Sequence, residues 1–207
     1  MLHERKADLD LAQSLVDAVQ EDPKRVRRSA RELVDRTDLD PETAAVLWWA
    51  LGLAARQLNE LADAEQALRS GLDIASEARL KRRVGQIRSS LALVLLYKGD
   101  THSALEEAEN ASAGLSDADF ARNEMQIGLI LQRLGRLDGS LARYKTALAA
   151  LRRFGDRLAE ARLLANRGVL HSYRGELDAG VSDLEAAMRI ARELDQHLIV
   201  AGCAHNL

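Results

Sequence analysis

A small residue returns at a near-fixed interval along this chain: Gly52, Ala92, Gly128 and Gly168, in steps of 40, 36 and 40 residues. Seven residues after each stands a second residue suited to a tight turn: Asn59, Gly99, Gly135 and Gly175. A period between about 20 and 50 residues is the mark of a stacked array, in which no unit buries its apolar face alone. The composition agrees. Of 207 residues, 47% are hydrophobic, 3% are aromatic and two are proline, so the chain can build a core mainly from Ala and Leu on helices. All-α structure is expected throughout.

Each period divides into two helical stretches about a turn. The first stretches are 44–58, 80–98, 120–134 and 158–174, and the second are 61–78, 101–113, 137–154 and 177–194. Gly99, Gly135 and Gly175 sit where a helix must stop, and glycine carries no Cβ penalty in the left-handed conformation that ends one. The 36-residue step removes about one turn, so one helix within 101–134 is expected to be short. The central small residue lets two helices approach closely. Ala64, Ala104, Ser140 and Gly180 hold the facing position, and Leu68, Tyr144 and Leu184 fill the layer beside it. Ahead of the array, Asp22 and Pro23, and again Asp40 and Pro41, pair an N-cap with a first-turn proline and so start helices. Residues 1–40 are therefore read as N-terminal helices packing on an array at 41–207. That array divides into hairpins at 41–79, 80–115, 116–155 and 156–195 and the first helix of a fifth at 196–207.

These positions resemble the tetratricopeptide repeat (TPR). Its W-x2-L-G element fits Trp48, Leu51 and Gly52, and its A-x3-F and A-L elements fit Ser140, Tyr144, Ala147 and Leu148. Ala55, Leu95, Leu131 and His171 stand where the family has an aromatic, and the closing proline is absent. The resemblance implies a right-handed superhelical solenoid of antiparallel helix hairpins whose first helices line a concave face. It places Gln86, Ser89, Leu93 and Tyr97 on that face. Arg122, Met125, Leu129, Gln132 and Arg133 follow in the next unit, and Arg162, Ala165, Asn166, Val169 and Tyr173 in the last. Of these, Gln86, Ser89, Tyr97, Arg122, Met125, Gln132, Arg133, Arg162, Asn166 and Tyr173 are the candidate partner-binding residues. Arginine and amide groups suit a peptide backbone or carboxylate, and Met and Tyr give adaptable apolar contact. Trp48 is expected in the core and Trp49 against the N-terminal helices. Two phrases, Ala50–Leu58 and Asn166–Gly175, also look like the N-terminal repeat region of actinobacterial CHAT-domain proteins, whose caspase-like catalytic domain has no counterpart here.

Catalytic chemistry finds little footing. Cys203 and His205 are two positions apart on a helix and diverge, so they make no nucleophile and base pair. No histidines show metal-ligand spacing, and no Gly-Lys-Ser/Thr loop occurs. His171 is read as structural. No cofactor, metal or catalytic residue is expected, and the chain is read as a non-enzyme. With 29 Lys and Arg against 32 Asp and Glu, the net charge is −3, which gives no overall pull toward nucleic acid or membrane. The basic run Lys24, Arg25, Arg27, Arg28 and Arg31 is read as a solvated face in preference to a contact for an acidic partner. One cysteine, no apolar leader and no long apolar run point to the cytoplasm.

The function expected is a protein–protein interaction scaffold or sensor that takes a peptide or protein on the concave face. The alternatives are the regulatory arm of a CHAT-type protease and the sensor arm of a bacterial transcriptional regulator. One more step of 40 from Gly168 falls just past Leu207. The apolar run Leu198, Ile199 and Val200 therefore suggests a section of a longer array, or an end open to self-association.

Overall fold

The computed structural model describes residues 2–207, with side chains from Arg5 onward. Among the described residues there are eleven α-helices and no strand. Contacts divide them into two units, 1–115 and 116–207.

The first unit holds α1 (Leu2–Ala18), α2 (Pro23–Val34), α3 (Pro41–Gln57), α4 (Leu61–Glu77), α5 (Lys81–Lys98) and α6 (Thr101–Ala111). The two Asp-Pro starts work as the sequence implies. The Asp22 carboxylate accepts from the Arg25 backbone N–H at 2.9 Å, and Asp40 accepts from those of Glu42 and Thr43 at 3.0 and 3.2 Å. Helices α3 with α4, and α5 with α6, form antiparallel hairpins, and α4 packs on α5. Helices α1 and α2 both pack on α3, around a core that includes Ala12, Leu15, Val19, Val26 and Ala30. The short helix is α6, with 11 residues against 17 in α4. A 3₁₀ turn, Ser112–Gly114, then folds back on the start of α5, and there a methyl group at Gly114 would meet the Lys81 carbonyl oxygen at 2.2 Å. The lost turn is thus replaced by a close backbone crossing that admits no side chain.

The second unit holds α7 (Asp117–Arg133), α8 (Leu137–Phe154), α9 (Arg157–Tyr173), α10 (Leu177–Glu193) and α11 (His197–Asn206). Hairpins α7/α8 and α9/α10 follow one another and α11 packs on α10, around a core centred on Tyr144, Leu151, Leu163, Leu164, Leu170 and Leu184.

The four periodic turn residues all take the left-handed conformation, with φ of 62° at Asn59, 88° at Gly99, 71° at Gly135 and 77° at Gly175. The periodic small residues prove to make room for a side chain sixteen positions on. A methyl group at Gly52 would lie 2.5 Å from Leu68 Cγ, one at Gly128 2.6 Å from the Tyr144 ring, and one at Gly168 2.8 Å from Leu184 Cγ. In the hairpin where the small residue is Ala92, the residue at the same offset is Ala108, and both are fully buried. The facing small residues matter too, since the buried Ser140 hydroxyl donates to the Gly128 carbonyl at 2.7 Å.

Candidate functional site

The face of each first helix that turns away from its hairpin partner is set by its buried positions. In α7 these include Ala121, Asn123, Glu124, Ile127, Gly128, Ile130 and Leu131, and in α9 Ala159, Glu160, Ala161, Leu163, Leu164, Gly168 and Leu170. What remains open is a stripe at i, i+4, i+7 and i+11, the spacing of one helix face. On α7 it is Arg122, Gln126, Leu129 and Arg133. On α9, which packs beside α7, it is Arg162, Asn166, Val169 and Tyr173, each 40 residues on.

The predicted site residues divide in how they are used. Arg122 is tied to the α8–α9 turn, where its Nε donates to the Asp156 carboxylate at 2.6 Å. Met125 packs into the core. Gln132 turns to its own hairpin, its Oε1 accepting from the Tyr144 hydroxyl at 3.1 Å. Arg133 and Arg162 are exposed and have no ion-pair partner among the described residues. Asn166 is half-buried beside them on the stripe, and Tyr173 is 72% exposed. Neither stripe carries a carboxylate, so this face offers two free guanidinium groups, amides and an apolar strip of Leu129 and Val169. Gln126 was absent from the expected set, although strict i, i+4 counting from Arg122 reaches it.

In the first unit, Gln86 is buried and its Oε1 accepts from Arg83 Nη1 at 3.1 Å. Ser89 is half-buried, and Tyr97 is 58% exposed at the end of α5. Sequence reasoning missed the group that organises this face. Arg83 also reaches Glu42 on α3 at 2.9 Å and Gln13 on α1 at 3.0 Å. The tryptophans correct an expectation. The Trp49 indole N–H donates to the Ser90 hydroxyl on α5 at 2.8 Å, so Trp49 faces the following helix. Trp48, half-buried, is the one that meets the N-terminal helices, with the Arg31 guanidinium 6.0 Å over its ring. Adjacent residues on a helix point about 100° apart, and the spacing alone did not say which neighbour lay on which side.

The tetratricopeptide repeat family profile matches residues 119–193. No curated protein matches the sequence. Among solved structures, the chain is similar to BtubC (BKLC) from P. vanneervenii, with TM-score 0.72, 16% identity, and coverage of 94% of this chain and 81% of that one. It is also similar to Bacillus thuringiensis PlcR, solved with the peptide PapR7 and DNA, with TM-score 0.73, 16% identity, and coverage of 97% and 74%. A third is YrrB, a TPR protein with an unusual peptide-binding site, with TM-score 0.58, 20% identity, and coverage of 97% and 91%. The fold is that of the TPR solenoids.

The TPR framework accounts for the reactive side chains. Cys203 is buried, which pushes its thiol up from the ordinary value, and His205 beside it is exposed. The His171 imidazole lies 2.6 Å from the Glu176 carboxylate across the α9–α10 turn, a structural contact. Among the described residues no group of three His, Cys, Asp or Glu side chains could hold a metal ion, and no helix is long and apolar enough to cross a membrane.

Proposed function

We propose that the chain is a peptide-binding interaction module whose ligand lies along the α7 and α9 stripes. The observation that carries this reading is the state of Arg133 and Arg162. Elsewhere in the same unit Arg143 is spent on Glu124, Arg152 on Glu160 and Arg167 on Asp183, each at 2.6–2.9 Å. Arg133 and Arg162 are left over with no carboxylate partner among the described residues, beside amides and an apolar strip. A free guanidinium binds a carboxylate or carbonyl in fork geometry, while Asn166 can hold an extended backbone. The similarity to PlcR and YrrB, both described with peptides, supports a peptide over a folded partner.

Panning a displayed random-peptide library on the wild-type chain should enrich sequences that an R133E/R162E variant does not retain. Enrichment that survives the double reversal, in a variant with unchanged circular dichroism, rejects the α7/α9 face. A finer reading is favoured by PlcR and by NprR, solved with its cognate peptide NprX (TM-score 0.71 and 15% identity over 96% of this chain). On that reading the module is the peptide-sensing arm of a regulator. The protease-arm reading rests on the phrases Ala50–Leu58 and Asn166–Gly175 alone. Leu198, 90% exposed on α11, supports self-association through that helix, and a Leu198→Glu variant in sedimentation velocity tests it.

A further inference from the structure

Helix α2 forms one wall of a cleft in the first unit that the α7/α9 reading does not use. The helix buries Val26 and Ala30 against its neighbours, which fixes the direction of its charges. Lys24, Arg27, Arg28 and Arg31 then line a cleft of about 410 Å³, floored by Leu51 and Ala55 of α3 and Ala67 of α4, with Glu60 and Asp63 opposite. That volume lies within the roughly 300–1,000 Å³ of ligand sites. Two of the four cations are engaged within the fold, Arg27 by Glu60 and Arg31 by the Trp48 ring. Lys24 and Arg28 are exposed and have no partner among the described residues. The cleft thus carries four cations against two carboxylates beside an apolar floor, in a chain of net charge −3.

The chemistry narrows the occupant. Nucleic acid brings phosphates but no aliphatic side chain for the Leu51, Ala55 and Ala67 floor. The floor is apolar and suits an aliphatic side chain, which free phosphate lacks. Lys24 and Arg28 are one turn apart, about 6 Å of helix rise. Alternate side chains of an extended peptide repeat at about 6.6 Å on one face. We propose that this cleft binds an extended acidic segment of a partner protein, with alternate carboxylates on Lys24 and Arg28 and an aliphatic side chain on the Leu51, Ala55 and Ala67 floor.

The probe is a fluorescein-labelled, amidated peptide of sequence Gly-Glu-Leu-Glu-Leu-Glu-Gly, titrated against the full chain by anisotropy. Saturable binding is expected. It should weaken about tenfold or more in K24E/R28E, and about tenfold when the peptide's leucines are serines. It should also fade between about 0.01 M and about 1 M salt, as the screening length falls from about 30 Å to about 3 Å. Both altered residues are exposed and unpaired, so the melting temperature of K24E/R28E should match wild type. If it does not, the neutral pair Lys24→Met and Arg28→Gln repeats the comparison. R133E/R162E should bind the probe like wild type, which separates this cleft from the α7/α9 face. The proposal is overturned by no saturable binding, by equal binding in K24E/R28E, or by equal binding of the serine peptide. Binding of phosphatidylserine vesicles or inorganic phosphate in place of the peptide also overturns it.

Discussion

One hairpin of the first unit, α5/α6, solves the shared packing problem differently from α3/α4 and from both hairpins of the second unit. In the second unit the first helix gives way, with Gly128 lying under Tyr144 and Gly168 under Leu184. In the α5/α6 hairpin of the first unit both partners are modest, Ala92 and Ala108. The layer therefore accepts one large side chain, supplied from the second helix, or two small ones, but not a large residue facing a Cβ. The open faces differ as well. In the first unit, Arg83, Glu42, Gln13, Gln86, Trp49 and Ser90 bond to one another. In the second, Arg133 and Arg162 are left to solvent or to a ligand. One face is closed by its own side chains, and the other remains available.

The sharpest way to break the packing half of this comparison is Gly168→Leu. The new side chain would start 2.8 Å from Leu184 Cγ and 3.0 Å from the Gly180 carbonyl oxygen, and the second of these is backbone. Overpacking costs about 1–3 kcal/mol where side chains can yield, and a backbone neighbour yields less. A loss of about 3 kcal/mol or more is expected, read as a fall in melting temperature of about 10 °C. An unchanged melting temperature would show that the layer is not close-packed at this position. A milder cycle sharpens the same point. Gly52→Ala should be costly beside Leu68 and nearly neutral in a Leu68→Ala background, which recreates the Ala92 and Ala108 pair. The expected coupling is about 1 kcal/mol.

The packing was legible in the sequence because it repeats. Four positions obeying one period mark both the turns and the close approach, and a left-handed turn accepts glycine or asparagine for a steric reason that needs no tertiary information. The turns between hairpins were less legible. Arg79 and Asp195 are left-handed there, with φ of 57° and 55°, yet neither residue announces it. The candidate face was legible only as a set of helix positions. Periodicity says that Arg122 and Gln132 point outward from the hairpin seam, but not that Asp156 and Tyr144 lie within reach of them. Those contacts join residues 34 and 12 positions apart, across elements whose relative placement is a tertiary fact. The same limit misassigned Trp49.

The contrast between faces predicts opposite outcomes for one substitution. Arg83→Ala removes three hydrogen bonds from a side chain that is 14% exposed and leaves the Glu42 carboxylate without its cation. A loss of about 2 kcal/mol is expected. Arg133→Ala touches an exposed group without a partner and should stay within about 0.5 kcal/mol of wild type. Urea denaturation of both variants checks this. Equal losses would mean that Arg133 is structural, and the α7/α9 face would lose its main support. Between these lies Tyr144→Phe, which removes the hydroxyl bonded to Gln132 from a side chain otherwise buried. It should cost about 1 kcal/mol and free the Gln132 amide without disturbing Gly128.

The smallest expected effect concerns how successive helices of the first unit are held. Glu65 on α4 accepts from Lys98 at the end of α5 at 2.5 Å and from Arg69 at 2.7 Å. The Lys98 ammonium first, and the Arg69 guanidinium second, hold the Glu65 carboxyl below its ordinary value of 4.5. A carboxyl whose folded value lies below its unfolded one binds fewer protons when folded. Its contribution is therefore fully present above about pH 4.5 and is lost as pH falls through the lower, folded value. Lys98 is partly exposed, so solvent screens the bond and the contribution is a few tenths of a kcal/mol up to about 1. Lys98→Met should be less stable than wild type at pH 7, and the gap should close as pH falls through the lowered, folded value of Glu65. A gap that stays constant across the whole acid range would assign the role of Lys98 to its aliphatic stem packing at the end of α5, and charge would then play no part in joining α4 to α5.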